Sequence, residues 1–599
     1  MRTHRAFLSI LFAVQYAELG TSAQTCKCVP GEDCWPSRPE LDLLNSTVKG
    51  NLIQGVPPAS VCYLAQPNYD TQQCDTVIAS WFDPYFHAND PISIDYPWWN
   101  NNSCPPIFAN GTSVTGDANA GAKGCHIGDH PVYAVNATSE EAVIAAVQFA
   151  SKHNIRLNVK STGHSLLGRS TAFGSLSVWT HHSRGIKWHE DFQPDSCTSG
   201  AAQRAVTLAA GERTRDVYEA AAKRNLVVSG SAARDIGIVG WFTGGGHGPL
   251  TGDYGLGADN IIEARIVTPD GQLRVVNSCQ NSDLFWAIRG GGGGTFGVVT
   301  QVTMKAYPAP NVTRHTFSLT TTDPSDEVGF WNSVANVWSY LPSLRSGGLQ
   351  GYGGISQSAS SRSMTWSFNL YGGTSGAIEK LIEPIIKYLD PKNGTSLIYK
   401  SGIASYPDFF TLWNSTASVD LVANTGSIFG SRLLPAESFT TDLSRLAGAL
   451  KNATAPGLNN RPSGLGLFMV APQSSSNNTS ADISATPAWR DAILHMGVSV
   501  PFSDALSFTE AQPYLDEMTY KRVEALKTLA PDSGAYLNEA DPFDPDWQAS
   551  FWGQNYERLA RIKKTYDPDG LLWCVSCVGS ERWARTKSGQ LCRVEGVEG

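Results

Sequence analysis

The stretch from Lys160 to Ser170, KSTGHSLLGRS, directs the interpretation of the whole sequence. It follows the short run Leu157 to Lys160, which predicts a β-strand. Its small residues allow backbone N–H groups to come close to a pyrophosphate and to form an anion-binding nest. His164 lies in the middle of the loop, where wrapping around a phosphate leaves it no packing role. Taken alone, the stretch is equally compatible with a histidine bonded to a backbone carbonyl.

Two further glycine-rich stretches follow along the chain. Residues 237–260, GIVGWFTGGGHGPLTGDYGLGADN, hold four glycines between 244 and 248 that allow close backbone approach to a flat or charged ligand. Residues 290–294 are consecutive glycines before a predicted strand at Val298, and a glycine hinge is the competing interpretation there. Neither stretch has the GxGxxG dinucleotide fingerprint or a Walker phosphate loop.

The order of these motifs resembles a known flavoprotein superfamily. KSTGH at 160–164, GSAARDIGIVGWFTGGGHG at 230–248 and DLFWAIRGGGGGTFGVVT at 283–300 look like the vanillyl-alcohol-oxidase/p-cresol-methylhydroxylase (PCMH-type) superfamily. Within it, the sequence is most similar to berberine-bridge-enzyme-like oxidoreductases of the secreted fungal type, because KKTYDPDGLLW at 563–573 resembles their C-terminal signature. The resemblance is close over 130–304 and 536–573 and holds only in outline between them.

The resemblance and the periodicity of the sequence predict an α+β fold of two lobes. A PCMH-type FAD-binding domain is expected over residues 121–310, with a C-terminal berberine-bridge-like segment, 536–599, that returns to it. Residues 311–535 are expected to form an inserted substrate domain on an antiparallel sheet flanked by helices, because long apolar strands alternate there with amphipathic helices. Residues 24–120, rich in Pro, Asn, Cys, Trp and Tyr, are expected to form an extended, disulfide-pinned arm.

Local periodicity gives specific expectations for the first lobe. A repeated β–α–β pattern is predicted, and its second copy has a strand at Val206 to Ala210, a helix at Arg213 to Arg224 and a strand at Leu226 to Ser229. One continuous helix is predicted over Trp552 to Lys564.

FAD is the cofactor that the resemblance implies. His164 occupies the position of the histidine that bonds covalently to the dimethylbenzene methyl group of the isoalloxazine, and the small residues around it would cradle the pyrophosphate. The residues implied to bind the cofactor are His164, Lys160, Ser161, Thr162, Gly163, Ser165, Ser170, Gly230, Ser231, Asp235, Ile236, Gly237, Gly240, Gly255, Asp259, Ile262, Val267 and Asn555. No metal is expected.

Three positions depart from the family's pattern. Ala233 stands where many members have a cysteine that makes a second covalent bond to the flavin, so a single histidyl link is predicted. Ile236 is bulkier than the valine often found at a position that influences oxygen access, which puts fast reaction with dioxygen in doubt. Leu166 replaces an aromatic residue two positions beyond the covalent histidine.

The catalytic base is an open question at the level of sequence. Tyr536 and Asn538 match positions over the reactive face of the flavin, so Tyr536 could remove an alcohol proton. A tyrosine titrates near pH 10, so it needs a nearby positive charge or a hydrogen-bond partner to act at neutral pH. His495, in a predicted strand of the second lobe, is another candidate, although a core histidine is the more ordinary interpretation.

Composition excludes several classes of partner. The chain has 599 residues, a net charge of −9 and 41 % hydrophobic residues, which is ordinary globular composition. No basic excess is available to neutralise phosphates, so nucleic acids and anionic membrane surfaces are not expected partners. No stretch after the N-terminus approaches the roughly 20 apolar residues of a membrane helix. A monomer is expected.

Three features predict export. Arg2, Arg5 and the short apolar run from Ala6 to Val14 are typical of a signal peptide over residues 1–23. The 12 cysteines are even in number and partly clustered, so disulfides are the first interpretation and a zinc site near Cys574 and Cys577 the lesser one. Sequons for N-linked glycans begin at Asn45, Asn110, Asn136, Asn311, Asn393, Asn414, Asn452 and Asn477.

Together these features predict a secreted, extracellular glycoprotein that is an FAD-dependent oxidoreductase. The leading hypothesis is oxidation of a CH–OH group of an alcohol or carbohydrate by hydride transfer to flavin N5, with dioxygen as acceptor and hydrogen peroxide as product. A dehydrogenase using another acceptor, or an oxidative cyclase acting on a secondary metabolite, is the alternative. A carbohydrate-binding glycoprotein with a degenerate flavin fold, suggested by 17 Trp and 20 Tyr, is the alternative of another class.

Overall fold

The structure is a computed structural model that describes residues 26–198, 202–358, 360–417, 422–423, 426–460, 464–473 and 482–594. The expected signal peptide, residues 1–23, and the sequon at Asn477 lie outside the described residues. The described chain mixes helices and sheets, as the α+β prediction requires.

Two sheets form the first lobe. The smaller has four strands in the spatial order Leu52–Gln54, Tyr133–Asn136, Leu176–Trp179 and Leu157–Lys160, and only its first pair is antiparallel. The larger is antiparallel and has five strands in the order Ile186–Phe192, Gln203–Ala209, Val298–Lys305, Ile261–Val267 and Leu273–Asn277. The helix Glu140–Lys152 packs Val143, Ala146, Val147 and Ala150 against this lobe, as its apolar spacing predicts.

The predicted second β–α–β unit is wrong. The strand Gln203–Ala209 pairs antiparallel with Val298–Lys305, whereas Leu226–Val227 pairs with Tyr307–Pro308 in a separate two-stranded sheet. Both strands and the helix Thr214–Ala222 are present. The two strands belong to different sheets, however, because each pairs with a strand that is distant in the sequence.

A seven-stranded antiparallel sheet is the base of the second lobe, as predicted. Its strands lie in the order Leu397–Tyr406, Val312–Thr321, Arg362–Tyr371, Gln350–Gln357, Leu465–Met469, Ala492–Phe502 and Gly426–Pro435. Apolar residues of the sheet and of helices such as Glu327–Trp338, Ser375–Leu389 and Leu443–Thr454 share one buried cluster. Burial of these amphipathic faces is the main force that holds helices on the sheet.

Twenty α-helices occur in the described residues. Those not yet named are Arg38–Thr47, Thr71–Ser80, Pro84–Asn89, Ala120–Lys123, Ile238–Thr243, Thr251–Tyr254, Ser282–Ile288, Leu341–Ser346, Phe409–Thr416, Glu437–Thr440, Ala488–Asp491, Phe508–Glu517, Glu524–Lys527, Trp547–Trp552 and Tyr556–Tyr566. The helix predicted over Trp552 to Lys564 is therefore two helices. Gly553 separates them, because its φ of 54° lies in the left-handed region that ends a helix.

The N-terminal arm is more helical than predicted. Ser37, Asp70 and Asp83 are the N-caps of its three longer helices, and the side chains of both aspartates accept backbone N–H bonds. The arm also reaches the flavin-motif loop, because the Asp95 N–H donates to the carbonyl of Gly163.

All twelve cysteines form disulfides, which confirms the preferred interpretation and excludes free thiolates for a zinc site. The pairs are Cys26–Cys592, Cys28–Cys34, Cys62–Cys74, Cys104–Cys125, Cys197–Cys279 and Cys574–Cys577. The first of them joins the arm to the C-terminal segment across a separation of 566 residues.

No helix in the described part of the chain has the length and apolar character needed to span a bilayer. The sequon asparagines in that part are exposed at five positions and half-buried at Asn45 and Asn136.

Candidate active site

The three glycine-rich stretches meet around one cavity of about 1290 Å³, part of which opens to solvent. Its wall includes much of residues 161–170, 236–243 and 292–297, together with Tyr536, Asn538 and Glu539. The predicted cofactor residues on this wall are Ser161, Thr162, Gly163, His164, Ser165, Ser170, Ser231, Ile236, Gly237 and Gly240. The cavity thus brings together most of the predicted cofactor loop and two of the predicted catalytic residues.

Two glycines lie where a Cβ would be crowded. Gly163 has a φ of 98°, and a Cβ there would lie 3.3 Å from the backbone of the arm at Ser93 and Ile94. A Cβ on Gly237 would lie 2.8 Å from Ser161 Oγ. By contrast, a Cβ on Gly240 would meet nothing within 4 Å, so its missing side chain leaves open space at the cavity wall. The glycines therefore serve both chain packing and close access to a ligand.

His164 lies between the arm and the loop at Asp235. Its Nε2 is 3.8 Å from Asp235 Oδ2, and one carboxylate oxygen of Asp95 lies within 4.8 Å of both groups. Both aspartates are fully buried, and the ring of Tyr96 meets the imidazole edge-on at 5.9 Å. Two carboxylates thus surround one nitrogen of a histidine whose ring forms part of the cavity wall.

Arg169 places a positive charge at the same cavity. None of its three guanidinium nitrogens has a hydrogen-bond partner among the described residues, although all are buried. Burial lowers the pKa of Arg169 to about 10, so it remains cationic at neutral pH. The hydroxyls of Ser161 and Thr295, also on the cavity wall, are likewise buried without a partner in the described chain. Such groups are costly unless a ligand completes their hydrogen bonds.

The remaining predicted cofactor residues lie off this wall. They are Lys160, Gly230, Asp235, Gly255, Asp259, Ile262, Val267 and Asn555. Lys160 Nζ donates to the carbonyls of His87 and Asp90, and Asp259 makes a two-pronged ion pair with Arg490 at 2.7 and 2.9 Å. Asn555 donates to the carbonyl of Ala485. These three side chains thus have partners inside the protein.

The opposite part of the site is a network that sequence reasoning missed. Glu539 accepts a hydrogen bond from His247 Nε2 at 3.0 Å and another from His495 Nε2 at 2.7 Å. An ionised carboxylate only accepts, so both histidines carry a proton on Nε2. His247 belongs to the second glycine-rich stretch, and Glu539 directly follows the predicted catalytic residue Asn538, so the sequence offers a position for each of them but no sign that they pair.

The neighbouring histidines keep the Glu539 carboxyl group ionised. Burial alone would raise the pKa of its carboxyl group, but the charge and hydrogen bond of His247, together with His495, hold that pKa well below its ordinary value. Burial lowers the pKa of His495, which is fully enclosed and does not line the cavity. His495 is therefore a core histidine, as the ordinary interpretation expects, but only one of its ring nitrogens is hydrogen-bonded. Its Nδ1 has no partner among the described residues.

Tyr536 and Asn538 lie together on the cavity wall. Asn538 Nδ2 donates to the Tyr536 hydroxyl at 2.8 Å, and its carbonyl oxygen is so close to Gly244 that a Cβ there would clash. Burial, and next the negative charge of Glu539, raise the pKa of Tyr536 far above its ordinary value, against weaker hydrogen bonds from Asn538 and the backbone. The tyrosine therefore holds its proton, since the charge nearest to it has the wrong sign to assist ionisation.

Comparison with known proteins identifies the chain. Residues 131–277 match the family described as FAD binding domain, and residues 535–575 match the family described as berberine and berberine like. The FAD-linked oxidoreductase apf9 of Gibberella fujikuroi is 36 % identical, over 96 % of this chain and 97 % of that protein. The chain belongs to this family of FAD-linked oxidoreductases.

Two solved structures extend the comparison. The VAO-type flavoprotein MtVAO713 from Myceliophthora thermophila C1 is 32 % identical and superposes with a TM-score of 0.86, over 95 % of this chain and 100 % of that one. Glucooligosaccharide oxidase from Acremonium strictum, at 20 % identity and a TM-score of 0.57 over 75 % of this chain and 92 % of that one, shares the fold. The predicted PCMH-type fold is confirmed.

The enzyme's cavity fits FAD. The buried Arg169 guanidinium on its wall has no hydrogen-bond partner among the described residues and suits an anionic group such as the pyrophosphate, and the open space beside Gly240 suits a flat ring. The prediction of an FAD-dependent oxidoreductase is confirmed, and the alternative of a non-enzymatic binding glycoprotein is not supported.

Proposed function

We propose that this enzyme is a secreted oxidase that oxidises a CH–OH group of an alcohol or carbohydrate. FAD is attached through His164 alone, and dioxygen is the final acceptor, giving hydrogen peroxide. When bound, FAD supplies a two-electron acceptor for the hydride that leaves carbon. Residues 121–310 and 536–599 form the cofactor domain in this proposal, residues 311–535 form the substrate domain, and residues 24–120 form the arm that covers His164.

One observation carries the reaction type. The cavity that holds the flavin motifs also has His247, Glu539 and Tyr536 on its wall, so proton-accepting and proton-holding groups share a space with the cofactor. Oxidation of CH–OH removes a hydride and a proton, so it needs a hydride acceptor and a proton acceptor side by side. Asn538 orients Tyr536, and the Tyr536 hydroxyl is suited to donate a hydrogen bond to the substrate oxygen.

The covalent link is supported by the surroundings of His164. Asp235 Oδ2 lies 3.8 Å from His164 Nε2, and a carboxylate oxygen of Asp95 lies within 4.8 Å of both groups, so buried acidic groups flank the imidazole at the cavity wall, where it can meet the flavin. The oxidase from Acremonium strictum carries a 6-S-cysteinyl, 8α-N1-histidyl FAD. Here Ala233 offers no sulfur for a second link, so single attachment is proposed. Attachment prevents loss of the cofactor from an extracellular enzyme.

Aromatic side chains of the second lobe pack around His247. Phe468 stacks on His247 at 5.9 Å, and Trp489 and Tyr352 lie within 6.3 Å of the same ring. These three rings lie off the cavity wall, so they hold the imidazole in place at the wall. The second lobe thus contributes to the site opposite the flavin motifs, and we assign it to substrate binding.

Secretion is supported by the disulfides. Six disulfides form among the described residues, and such bonds persist in oxidising compartments. Exposed sequons at Asn110, Asn311, Asn393, Asn414 and Asn452 are accessible to N-linked glycans.

The test is anaerobic reduction followed by aeration. Purified holoenzyme is mixed without oxygen with a panel of primary alcohols, aromatic alcohols and oligosaccharides, and the flavin absorbance is followed. We expect bleaching by at least one substrate, and a stoichiometric burst of hydrogen peroxide when air is admitted. Bleaching without peroxide would instead identify the enzyme as a dehydrogenase. Ile236 lies on the cavity wall, where its bulk would restrict the access of dioxygen to the flavin. Absence of bleaching by every alcohol and sugar would refute the CH–OH proposal.

A further inference from the structure

His247, on the cavity wall, combines a charged partner with a buried ring nitrogen that has no hydrogen-bond partner among the described residues. Its Nε2–H is directed at Glu539 Oε1, while its Nδ1 is buried and has no hydrogen-bond partner among the described residues. The ring forms part of the cavity wall, and its side chain is 9 % exposed. A carboxylate behind one imidazole nitrogen fixes the tautomer and leaves the other nitrogen basic.

We infer that His247 is the general base of the oxidation, oriented by Glu539, with His495 as the positioning residue behind that carboxylate. This inference rests on the proposed CH–OH chemistry. His247 Nδ1 accepts the proton of the substrate hydroxyl as that O–H bond breaks. The electron pair of the breaking C–H bond leaves as hydride, for which bound FAD would be the acceptor, and the C=O bond forms. The proton and the hydride lost from the substrate are the two hydrogens of the hydrogen peroxide.

The other candidates on the wall are weaker bases. Tyr536 keeps its proton because burial and the charge of Glu539 raise its pKa. Glu539 has both carboxylate oxygens occupied by histidine N–H groups, which hold its pKa low and make it a poor acceptor. His495 shares the bond to Glu539 but lies off the wall, so no substrate reaches it.

One carboxylate faces the His247 ring. Glu539, His495, Tyr536 and Tyr352 are the titratable groups around it, and Glu539 is the acidic one in hydrogen-bond contact. The imidazolium formed by proton transfer therefore has a carboxylate at 3.0 Å. The same carboxylate stabilises the charge that develops during the reaction.

The first test compares matched histidine-to-glutamine variants. In His247→Gln the amide Nε2 can still donate to Glu539, but no basic nitrogen remains. We expect the rate constant of anaerobic flavin reduction to fall about 100- to 1000-fold with FAD content unchanged. The matched control is His189→Gln. His189 is half-exposed on the edge strand Ile186–Phe192 and makes a hydrogen bond to Thr207, so this variant should reduce the flavin at the wild-type rate. The rate constant of flavin reduction should fall less in Tyr536→Phe than in His247→Gln.

The pH dependence gives a second readout. The wild-type reduction rate should fall towards acidic pH, because a proton on His247 Nδ1 removes the acceptor. This acidic limb should vanish in His247→Gln and persist in Tyr536→Phe. A His247→Gln enzyme within threefold of the wild-type rate, with its acidic limb intact, would overturn the inference.

A third readout does not depend on turnover. In holoenzyme labelled with ¹⁵N-histidine, the His247 signal, assigned by its loss in His247→Gln or in His247→Asn, should report a proton on Nε2 and a lone pair on Nδ1 at pH 8. A proton on Nδ1 would refute the base assignment. If no alcohol or sugar reduces the flavin, the proposed function fails, and this tautomer measurement still decides whether His247 carries an available basic nitrogen.

Discussion

The two sides of the cavity satisfy their polar groups in opposite ways. The flavin-loop wall, residues 161–170 with 292–297, leaves the Arg169 guanidinium and the Ser161 and Thr295 hydroxyls without partners in the described chain. The histidine wall is formed by His247, Tyr536, Asn538 and Glu539 with His495 behind it. It pairs most of its polar groups with one another and leaves only Nδ1 of the two histidines without a partner among the described residues. Partnerless groups on the first wall require a ligand, whereas the paired groups on the second are oriented before any substrate arrives. The difference separates cofactor binding from proton transfer.

The largest effect is expected from His164→Ala on the flavin-loop wall. Without the imidazole no covalent bond can form, so flavin fluorescence should leave the polypeptide completely on acid precipitation, while wild-type pellets stay yellow. The measurement is flavin fluorescence of the denatured chain on a gel. His182→Ala, at an exposed histidine bonded to Asn136, is the matched control and should keep covalent flavin. A fluorescent His164→Ala chain would show that the attachment site lies elsewhere.

On the histidine wall, Glu539→Gln should lower the flavin-reduction rate about 100-fold without changing FAD content. The amide can accept from only one histidine at its oxygen and presents N–H groups to the other, so the orientation of His247 is lost. Stopped-flow reduction at saturating substrate measures the effect. Glu379→Gln, an exposed residue of the helix Ser375–Leu389, serves as control. If Glu539→Gln and Glu379→Gln reduced the flavin at equal rates, Glu539 would have no role in the reaction.

The two walls also differ in what the sequence predicts about them. His164, Ser161, Thr162 and Gly163 lie next to one another in one loop, so the motif alone assembles that side. The histidine wall joins His247 to Glu539 across 292 residues and His495 to Glu539 across 44. No local pattern encodes those pairings, because only the tertiary fold brings the loop of His247, the segment of Glu539 and the strand Ala492–Phe502 of His495 together.

The same physics explains the errors in the predicted fold. Strands and helices of the first lobe follow local periodicity, so their existence is predicted well. The sheet that Gln203–Ala209 joins, and the partner of Leu226–Val227, depend on contacts with residues near 298–308. The arm's helices could have been found from their caps at Ser37, Asp70 and Asp83, which were present in the sequence.

A moderate effect on cofactor affinity is expected from Arg169→Met. A charge-assisted hydrogen bond to phosphate contributes about 1.5–3 kcal/mol, so removing the guanidinium should weaken FAD binding about tenfold or more. The dissociation constant is measured in the His164→Ala background, where FAD is not tethered. Arg204→Met, at an exposed arginine paired with Glu190, should leave the affinity unchanged. Unchanged affinity in the Arg169 variant would mean that its guanidinium does not face the cofactor.

The smallest effect concerns Asp541, which lies two residues beyond Glu539 and has the opposite pKa shift. Asp541 is buried and Glu539 is half-buried. Among the described residues, the Asp541 carboxyl group accepts hydrogen bonds from the Thr519 hydroxyl and the Phe543 N–H, both neutral donors. Burial therefore raises the pKa of Asp541 to about 7, whereas the histidines lower that of Glu539. A carboxyl group with a raised pKa binds more protons when folded, so it contributes stability that is lost as pH rises from about 4 to 7.

Asp541→Asn should remove this dependence: its apparent Tm should match the wild-type value near pH 4 and exceed it by about 2–5 °C at pH 8. Differential scanning fluorimetry at both pH values measures it, and Asp516→Asn, at an exposed aspartate of the helix Phe508–Glu517, should follow the wild type. A Tm difference that does not grow with pH would mean that Asp541 is ionised throughout this range, so that neutral donors suffice to hold a buried carboxylate and the histidine pair is not what distinguishes Glu539.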